Sequence, residues 1–420
     1  MRHLIVGGAL LLVQAVTPAL AAQTPEQVAA AALKAAPVWD GHNDVPEQLR
    51  DRRKDVLAGF DFADTANTGD AANKIPPMQT DLKRLRQGKV GAQFWSVFVP
   101  ASLTEPQAVQ ATLEQIDTIR RLVALYPRDM QLALTADDAA KAMKAGRIAS
   151  LIGMEGGHSI GGSLGVLRQM YALGARYMTL THVKNNAWAD SGTDAPAHNG
   201  LTPFGKDVVR EMNRLGMLVD LSHVSPKTML DALAVSGAPV IFSHSDAMAI
   251  SGHPRNVPDD VLDQVKVNGG VVMVNFFPNY ISPALRERNA ARSGEEARLK
   301  TLNLGSPDAV TAGLAAWDKA NPAPVATLAQ VADHIDHIAR RIGVDHVGLG
   351  SDFDGGSIGL AGLEDVSKYP ALFVELARRG YSQADLEKIA SGNVMRALRG
   401  AEAYAAAHRA DPPIESATQF

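Results

Sequence analysis

Eight short apolar runs, each followed by a segment of helical character, constrain this chain more than any other feature of its sequence. The runs are Val38-Trp39, Phe94 to Val99, Ala149 to Met154, Tyr177 to Leu180, Met217 to Leu221, Val240 to Phe242, Val271 to Val274 and Val347 to Gly350. Such runs suit parallel strands buried on both faces. Between them, segments 106–125, 165–173, 206–215, 226–233 and 331–342 repeat apolar residues at helical spacing. Several open on a residue suited to capping, as Asp259 does before Val261.

This alternation permits a doubly wound open sheet or a closed barrel. The ends of the runs favour the barrel. Six of the eight finish in residues able to hold a metal: His42 with Asp44, Glu155, His182, His223, His244, and Asp352 with Asp354. A barrel brings all such ends to one face, whereas an open sheet gathers only a few at its switch point. The expected fold is therefore α/β, a (β/α)8 TIM-type barrel. The longest connection, Ser282 to Pro324, is charged and Ala-rich, and predicts a helical insertion between strands 7 and 8.

His42-Asn43-Asp44 places an imidazole and a carboxylate on the same side of an extended chain, where both reach one cation. Glu155 follows a buried run, so its charge needs a partner. That partner is either a nearby Arg or a pair of metal ions bridged by the carboxylate. His223 and His244 end their runs 21 residues apart, about one strand-plus-helix unit, which sets them on neighbouring barrel strands at one height. Three His, one Asp and one Glu suit Zn first, with Mn and Co as alternatives. Two ions sharing Glu155 would hold a hydroxide that attacks at neutral pH. Amide hydrolysis also needs a base and a stabiliser of the developing oxyanion. Asp352 is the base candidate and Asp354 its rival, while His182 can polarise the scissile carbonyl. The fork of Arg255 suits a substrate carboxylate, the competing reading being a surface ion pair. Among the other histidines, His334 and His337 are expected on the wet face of their helix.

Composition narrows the classes further. The chain has no cysteine, which removes disulfides and thiolate sites and leaves metal binding to His, Asp and Glu. A formal net charge of -4 with no basic block argues against nucleic acid as a partner. Met1-Arg-His precedes an apolar stretch from Leu4 to Val13 and then Ala19-Leu20-Ala21, the pattern of a secretory signal over residues 1–21. The stretch is shorter than the ~20 residues that span a bilayer. A single metallohydrolase domain over 22–420, exported to the periplasm or beyond, is the expectation. The polar C-terminus predicts no lipid anchor.

The motifs Trp39-Asp-Gly-His-Asn-Asp44, Glu155-Gly-Gly-His-Ser159, Thr179-Leu-Thr-His182, Val240-Ile-Phe-Ser-His244, Arg255-Asn-Val-Pro-Asp-Asp260 and Gly350-Ser-Asp-Phe-Asp-Gly355 run in order along the chain. With them the sequence resembles the membrane dipeptidase (renal dipeptidase) family, in its bacterial form. The resemblance implies a TIM-type barrel with two Zn2+ per chain, one on His42, Asp44 and Glu155, the other on Glu155, His223 and His244. It implies that His182 and Arg255 contact substrate and that Asp352 handles protons. It further implies dipeptide substrates, including those with a C-terminal D-residue, and a homodimer. The chain departs from many relatives after the H-x-D-x-P element, where Glu47 stands in place of an aromatic residue. The competing readings are another amidohydrolase-type barrel acting on a β-lactam, lactone or cyclic amide, and a non-catalytic periplasmic binding barrel.

Overall fold

The computed structural model describes residues 23–356 and 360–418. The proposed signal segment lies outside them. The strands are β1 Val38–Asn43, β2 Val90–Phe98, β3 Met130–Leu132, β4 Ile148–Glu155, β5 Ala175–Thr179, β6 Leu218–Asp220, β7 Ile241–Phe242, β8 Val271–Val274 and β9 Val347–Leu349. All pairings between them are parallel. The sheet runs β2-β1-β9-β8-β7-β6-β5-β4-β3, and a further pairing of β2 with β4 closes it. The result is an eight-stranded barrel with helices around it. The three-residue β3 stands outside the ring, on the first half of β4: Met130 to Leu132 pair with Ile148 to Ser150, and β5 takes over from Ile152. No apolar run marks β3, so it was not among the eight expected strands.

Alternation along the strands divides consecutive residues between two cores. Trp39, Phe94, Leu151, Tyr177, Ile241 and Met273 share one buried cluster. Their neighbours Val38, Trp95, Ile152, Met178, Phe242 and Val272 belong to the other, which faces the helices. The Phe94 ring stacks obliquely on Trp39 at 5.7 Å and on Tyr177 at 4.9 Å. Gly153 is what lets Tyr177 cross here, because a Cβ at that position would overlap the phenol ring.

The expected helices form, with bounds of Glu105–Leu125, Leu164–Leu173, Pro203–Leu215, Pro226–Val235 and Leu328–Ile342. Asp259 lies inside the helix Asp259–Asn268, whose cap is Pro258. The insertion is helical as expected, a pair spanning Pro283–Leu302 and Pro307–Ala320 between β8 and β9, the seventh and eighth strands of the ring. His334 corrects the sequence reading: it is fully buried, accepting from Ala247 N at 3.1 Å and facing Ile281 O at 3.1 Å. It lies three residues after Val331 and four before Ile338, on the apolar stripe itself. His337 is half-buried beside Asp259, at 2.7 Å.

Two buried aspartates brace the mouth of the barrel. Asp40 on β1 accepts from Ser351 N at 2.8 Å, Ser351 Oγ at 2.6 Å, Tyr369 OH at 2.7 Å and His42 N at 3.2 Å. Asp220 on β6 does the same for Ser243 N at 2.8 Å, Ser243 Oγ at 2.6 Å, Ser222 N at 3.1 Å and Thr179 Oγ1. Replacing Asp40 by Ala strands four buried donors at once. A loss of about 3 kcal/mol is expected, read as a lower urea midpoint at unchanged slope.

Candidate metal centre and active site

Going round the mouth, the strand order β1, β2, β4, β5, β6, β7, β8, β9 sets β1 opposite β6, β2 opposite β7 and β5 opposite β9. The chemistry-bearing residues follow directly from these ends. His42 and Asp44 come from β1, Glu155 from β4, His182 from the end of β5, His223 from β6, His244 from β7 and Asp352 from β9. A cavity of about 270 Å³ opens between them, bordered by Asp44, Glu155, His182, His223, His244 and Asp352, with Glu47, Phe98, Val183, Phe277 and Tyr280 around them.

Glu155 is the centre of the cluster. Its Oε2 lies 3.4 Å from His42 Nε2, and its Oε1 lies 2.9 Å from His223 Nε2 and 3.4 Å from His244 Nε2. Each carboxylate oxygen thus faces a different set of imidazoles. His42 Nε2 is also 3.4 Å from Asp44 Oδ1, and both atoms are buried without a hydrogen-bond partner among the described residues.

The surrounding hydrogen bonds set the tautomers. Ser243 Oγ–H donates to Asp220 Oδ2, so the 2.8 Å contact between Ser243 Oγ and His244 Nδ1 places a proton on Nδ1. That leaves a lone pair on His244 Nε2, which is 2.9 Å from His223 Nε2. Electron-rich atoms converging this closely fit a cation between them. Burial first, and then the Arg255 charge for His223 and the His42 charge for His244, hold both imidazoles well below the usual range. For His42, burial is outweighed by the Tyr177, Asp44 and Glu155 groups, which raise it well above that range, so that a cation bound there would displace its proton. Three groups of side chains can each gather around an ion: His42, Glu155 and His244; Glu155, His182 and His223; and His42, Asp44 and Asp352. The five residues expected as ligands are therefore together, with His182 and Asp352 at the edges of the same cluster.

His182 Nε2 is 3.7 Å from Glu155 Oε1, and its ring meets the edge of Phe98 at 4.7 Å. Burial lowers its pKa, so the ring is neutral and can donate. Across the mouth, Asp352 Oδ2 accepts from Asn275 Nδ2 at 3.1 Å. Burial, and then the Asp44 carboxylate, raise Asp352 well above the ordinary carboxylate range. Gly355 keeps this corner open, since a Cβ there would come within 2.5 Å of Asp352 Oδ1 and 2.6 Å of Asp44 Oδ2. Asp354 is turned elsewhere: its Oδ1 accepts from Gln79 N at 2.8 Å, and its own N donates to Gln79 Oε1 at 2.9 Å. Burial raises it to about 6.

Arg255 is not a surface residue. It is 1% exposed, donates to His244 O at 3.0 Å and Ser245 Oγ at 3.3 Å, and lies 5.4 Å from the Tyr280 ring that borders the cavity. His223, Asp352 and Asp354 all have positive φ, at 68°, 64° and 67°. Non-glycine residues adopt this region at a cost and cluster at working sites.

A family model described as membrane dipeptidase (peptidase family M19) matches residues 26–412. The chain belongs to that family. The dipeptidase tcpJ of Claviceps purpurea (strain 20.1) is 42% identical over 387 residues, spanning 89% of this chain and 79% of that protein. The probable dipeptidase PvdM from Pseudomonas aeruginosa has a TM-score of 0.75 at 26% identity, covering 90% of this chain and 99% of that one. A metallo peptidase from Rhodobacter sphaeroides, solved with a phosphinate mimic of the dipeptide L-Ala-D-Ala, has a TM-score of 0.70 at 24% identity, covering 87% and 99%, and bears on the fold. The chain is thus an M19 metallopeptidase of dipeptidase type, and the non-catalytic barrel is set aside. The curated relative is fungal, so the expectation of a bacterial member draws no support from it. No helix among the described residues is long and apolar enough to cross a membrane.

The sequence reading of this M19 dipeptidase missed the residues behind the candidate ligands. Tyr177 OH is 2.8 Å from His42 Nδ1, and Ser96 Oγ donates to Glu155 Oε2 at 3.1 Å. Asp40 and Asp220 hold the strand ends that carry His42, His223 and His244. Their signal was available: each is a charged residue inside or at the end of an apolar run, two or three positions before a histidine.

Proposed function

We propose that this protein hydrolyses the peptide bond of dipeptides at a binuclear zinc centre, with His42, Asp44 and Glu155 holding one ion and Glu155, His223 and His244 the other. The observation that carries this reading is the division of Glu155, whose two oxygens face separate imidazoles. When bound, the metal pair supplies Lewis acidity and lowers the pKa of the attacking water.

The chain's own groups do the rest. Arg255 attracts the free carboxylate of the dipeptide from behind Tyr280. His182, neutral and opposite Asp352, donates to the oxygen of the scissile carbonyl as charge develops there. Asp352 accepts a proton from the water as its oxygen bonds to the carbonyl carbon. It returns that proton to the nitrogen as the C–N bond breaks, and the second proton of the water passes from the new carboxyl to the amine, leaving an ammonium and a carboxylate. The mimic bound by the Rhodobacter sphaeroides relative supports including dipeptides with a C-terminal D-residue. We place the enzyme outside the cytoplasm, after removal of residues 1–21, as a homodimer of single-domain chains.

Metal analysis of active enzyme is expected to find about two divalent ions per chain. Hydrolysis of L,L and L,D dipeptides should stop with chelator and return with zinc. One ion per active chain would overturn the bridging role of Glu155, and hydrolysis of a β-lactam or lactone alone would overturn the dipeptide assignment.

A further inference from the structure

Glu47 is the one carboxylate on the cavity wall that the reaction above does not use. It lies in the first turn of the helix Val45–Arg53, three residues after Asp44, and its side chain is 22% exposed. No hydrogen bond to its carboxylate is found among the described residues. Its neighbour Arg50 approaches only to 3.6 Å, because Arg50 Nη1 is committed to Phe98 O at 2.6 Å and Nε to Asp51 Oδ1 at 2.9 Å. A half-buried carboxylate without a hydrogen-bonded partner is unfavourable, and an incoming cation offsets that cost.

The topology says which part of a substrate would meet it. Arg255 is bonded to the chain just after β7, and Phe98, which shares Arg50 with Glu47, ends β2 on the opposite side of the mouth. A dipeptide whose carboxylate is drawn to Arg255 therefore directs its N-terminal residue toward Phe98 and Glu47. Asp44 and Glu155, the other acids on that side, are assigned above to the metal ions. Burial, and then the Asp44 and Glu155 carboxylates, push Glu47 up to about 8, so a cation arriving beside it would hold it ionised, and the Phe98 ring, with the Arg50 guanidinium over it at 5.4 Å, borders the path of a long side chain.

We propose that Glu47 makes the enzyme select dipeptides whose N-terminal residue carries a cationic side chain, such as lysine or arginine. This rests on the dipeptidase reading and on the carboxylate end lying at Arg255.

The test compares Lys-Ala with norleucyl-alanine, nearly the same shape without the charge, and with Glu-Ala. Zinc-loaded wild-type enzyme is expected to show kcat/KM for Lys-Ala above norleucyl-alanine by about tenfold or more, which corresponds to ~1.4 kcal/mol, with Glu-Ala poorest. Glu47→Gln should bring the first two substrates together. No preference in the wild type overturns the proposal whether or not the variant folds. So does a Glu47→Gln variant that loses all three substrates equally, which would make Glu47 a contact to the common α-ammonium. If no dipeptide is cleaved, the dipeptidase reading fails by itself. Calorimetric binding of free lysine against norleucine to the zinc-loaded protein then still reads Glu47, and equal affinities would overturn its selectivity.

Discussion

Asp352→Asn is expected to lower kcat by about 10²–10⁴-fold, the range for losing a positioned general base, while metal content stays at the wild-type level. The amide keeps the shape of the side chain and can still meet Asn275, but it cannot take the proton of the attacking water. Asp352 is suited to that task by its environment. It lines the cavity and stands across the mouth from His182, so that a carbonyl between them is approached from both sides. Asp354→Asn should cost much less, because Asp354 is bonded to Gln79 and points away from the cavity. Steady-state kinetics with metal analysis on both variants separates the cases. If Asp352→Asn loses an ion together with turnover, then Asp352 is a ligand beside His42 and Asp44, a grouping the geometry also allows. If Asp354→Asn is the weaker enzyme, the base has been assigned to the wrong residue.

Glu155→Gln should have the other large effect. Glutamine offers one carbonyl oxygen, and its amide nitrogen would turn N–H donors toward one of the two imidazole sets that Glu155 now serves. Metal content is expected to fall below one ion per chain after dialysis, with turnover lost. An ion that binds the native state preferentially stabilises it, so if zinc is that ion, adding it should raise Tm in the wild type and far less in Glu155→Gln. A variant that keeps two ions would mean that the histidines and Asp44 hold them without the bridge.

The barrel was legible because its signal is repeated. One apolar run ending in a metal-capable residue is weak evidence, but six such endings on alternating elements are hard to reconcile with an open sheet. The candidate ligands were readable for the same reason: His42, Asp44, Glu155, His223 and His244 all sit at or just beyond the C-terminal ends of their strands. What escaped has a common physical origin. Tyr177, Ser96 and Ser243 act through single hydroxyls on strand residues that also pack, so nothing in hydropathy separates them from core. His334 was misread because a histidine looks polar in a sequence, whereas its position beside Val331 and Ile338 is set by helical phase. β3 has three residues and no run of its own, and it forms because β4 presents an unpaired edge. Arg255 was readable as a residue suited to a carboxylate, but its burial behind Tyr280 depends on a loop fold that spacing does not encode.

The partial shelter that β3 gives to β4 also has a consequence for how such a protein can change. β4 is paired with β2 along its length, but its other edge is shared, with β3 along the first half and β5 along the second. The ring itself has eight strands, and β3 adds a ninth outside it at the floor only. The opposed pairs that build the site are set wholly at the mouth. Lengthening, shortening or replacing the segment around β3 should remodel the floor, where one copy of the chain could acquire new attachments, without altering which strands face each other across the cavity. The architecture separates a variable end from a constant one, and tolerance to insertion should differ between them accordingly.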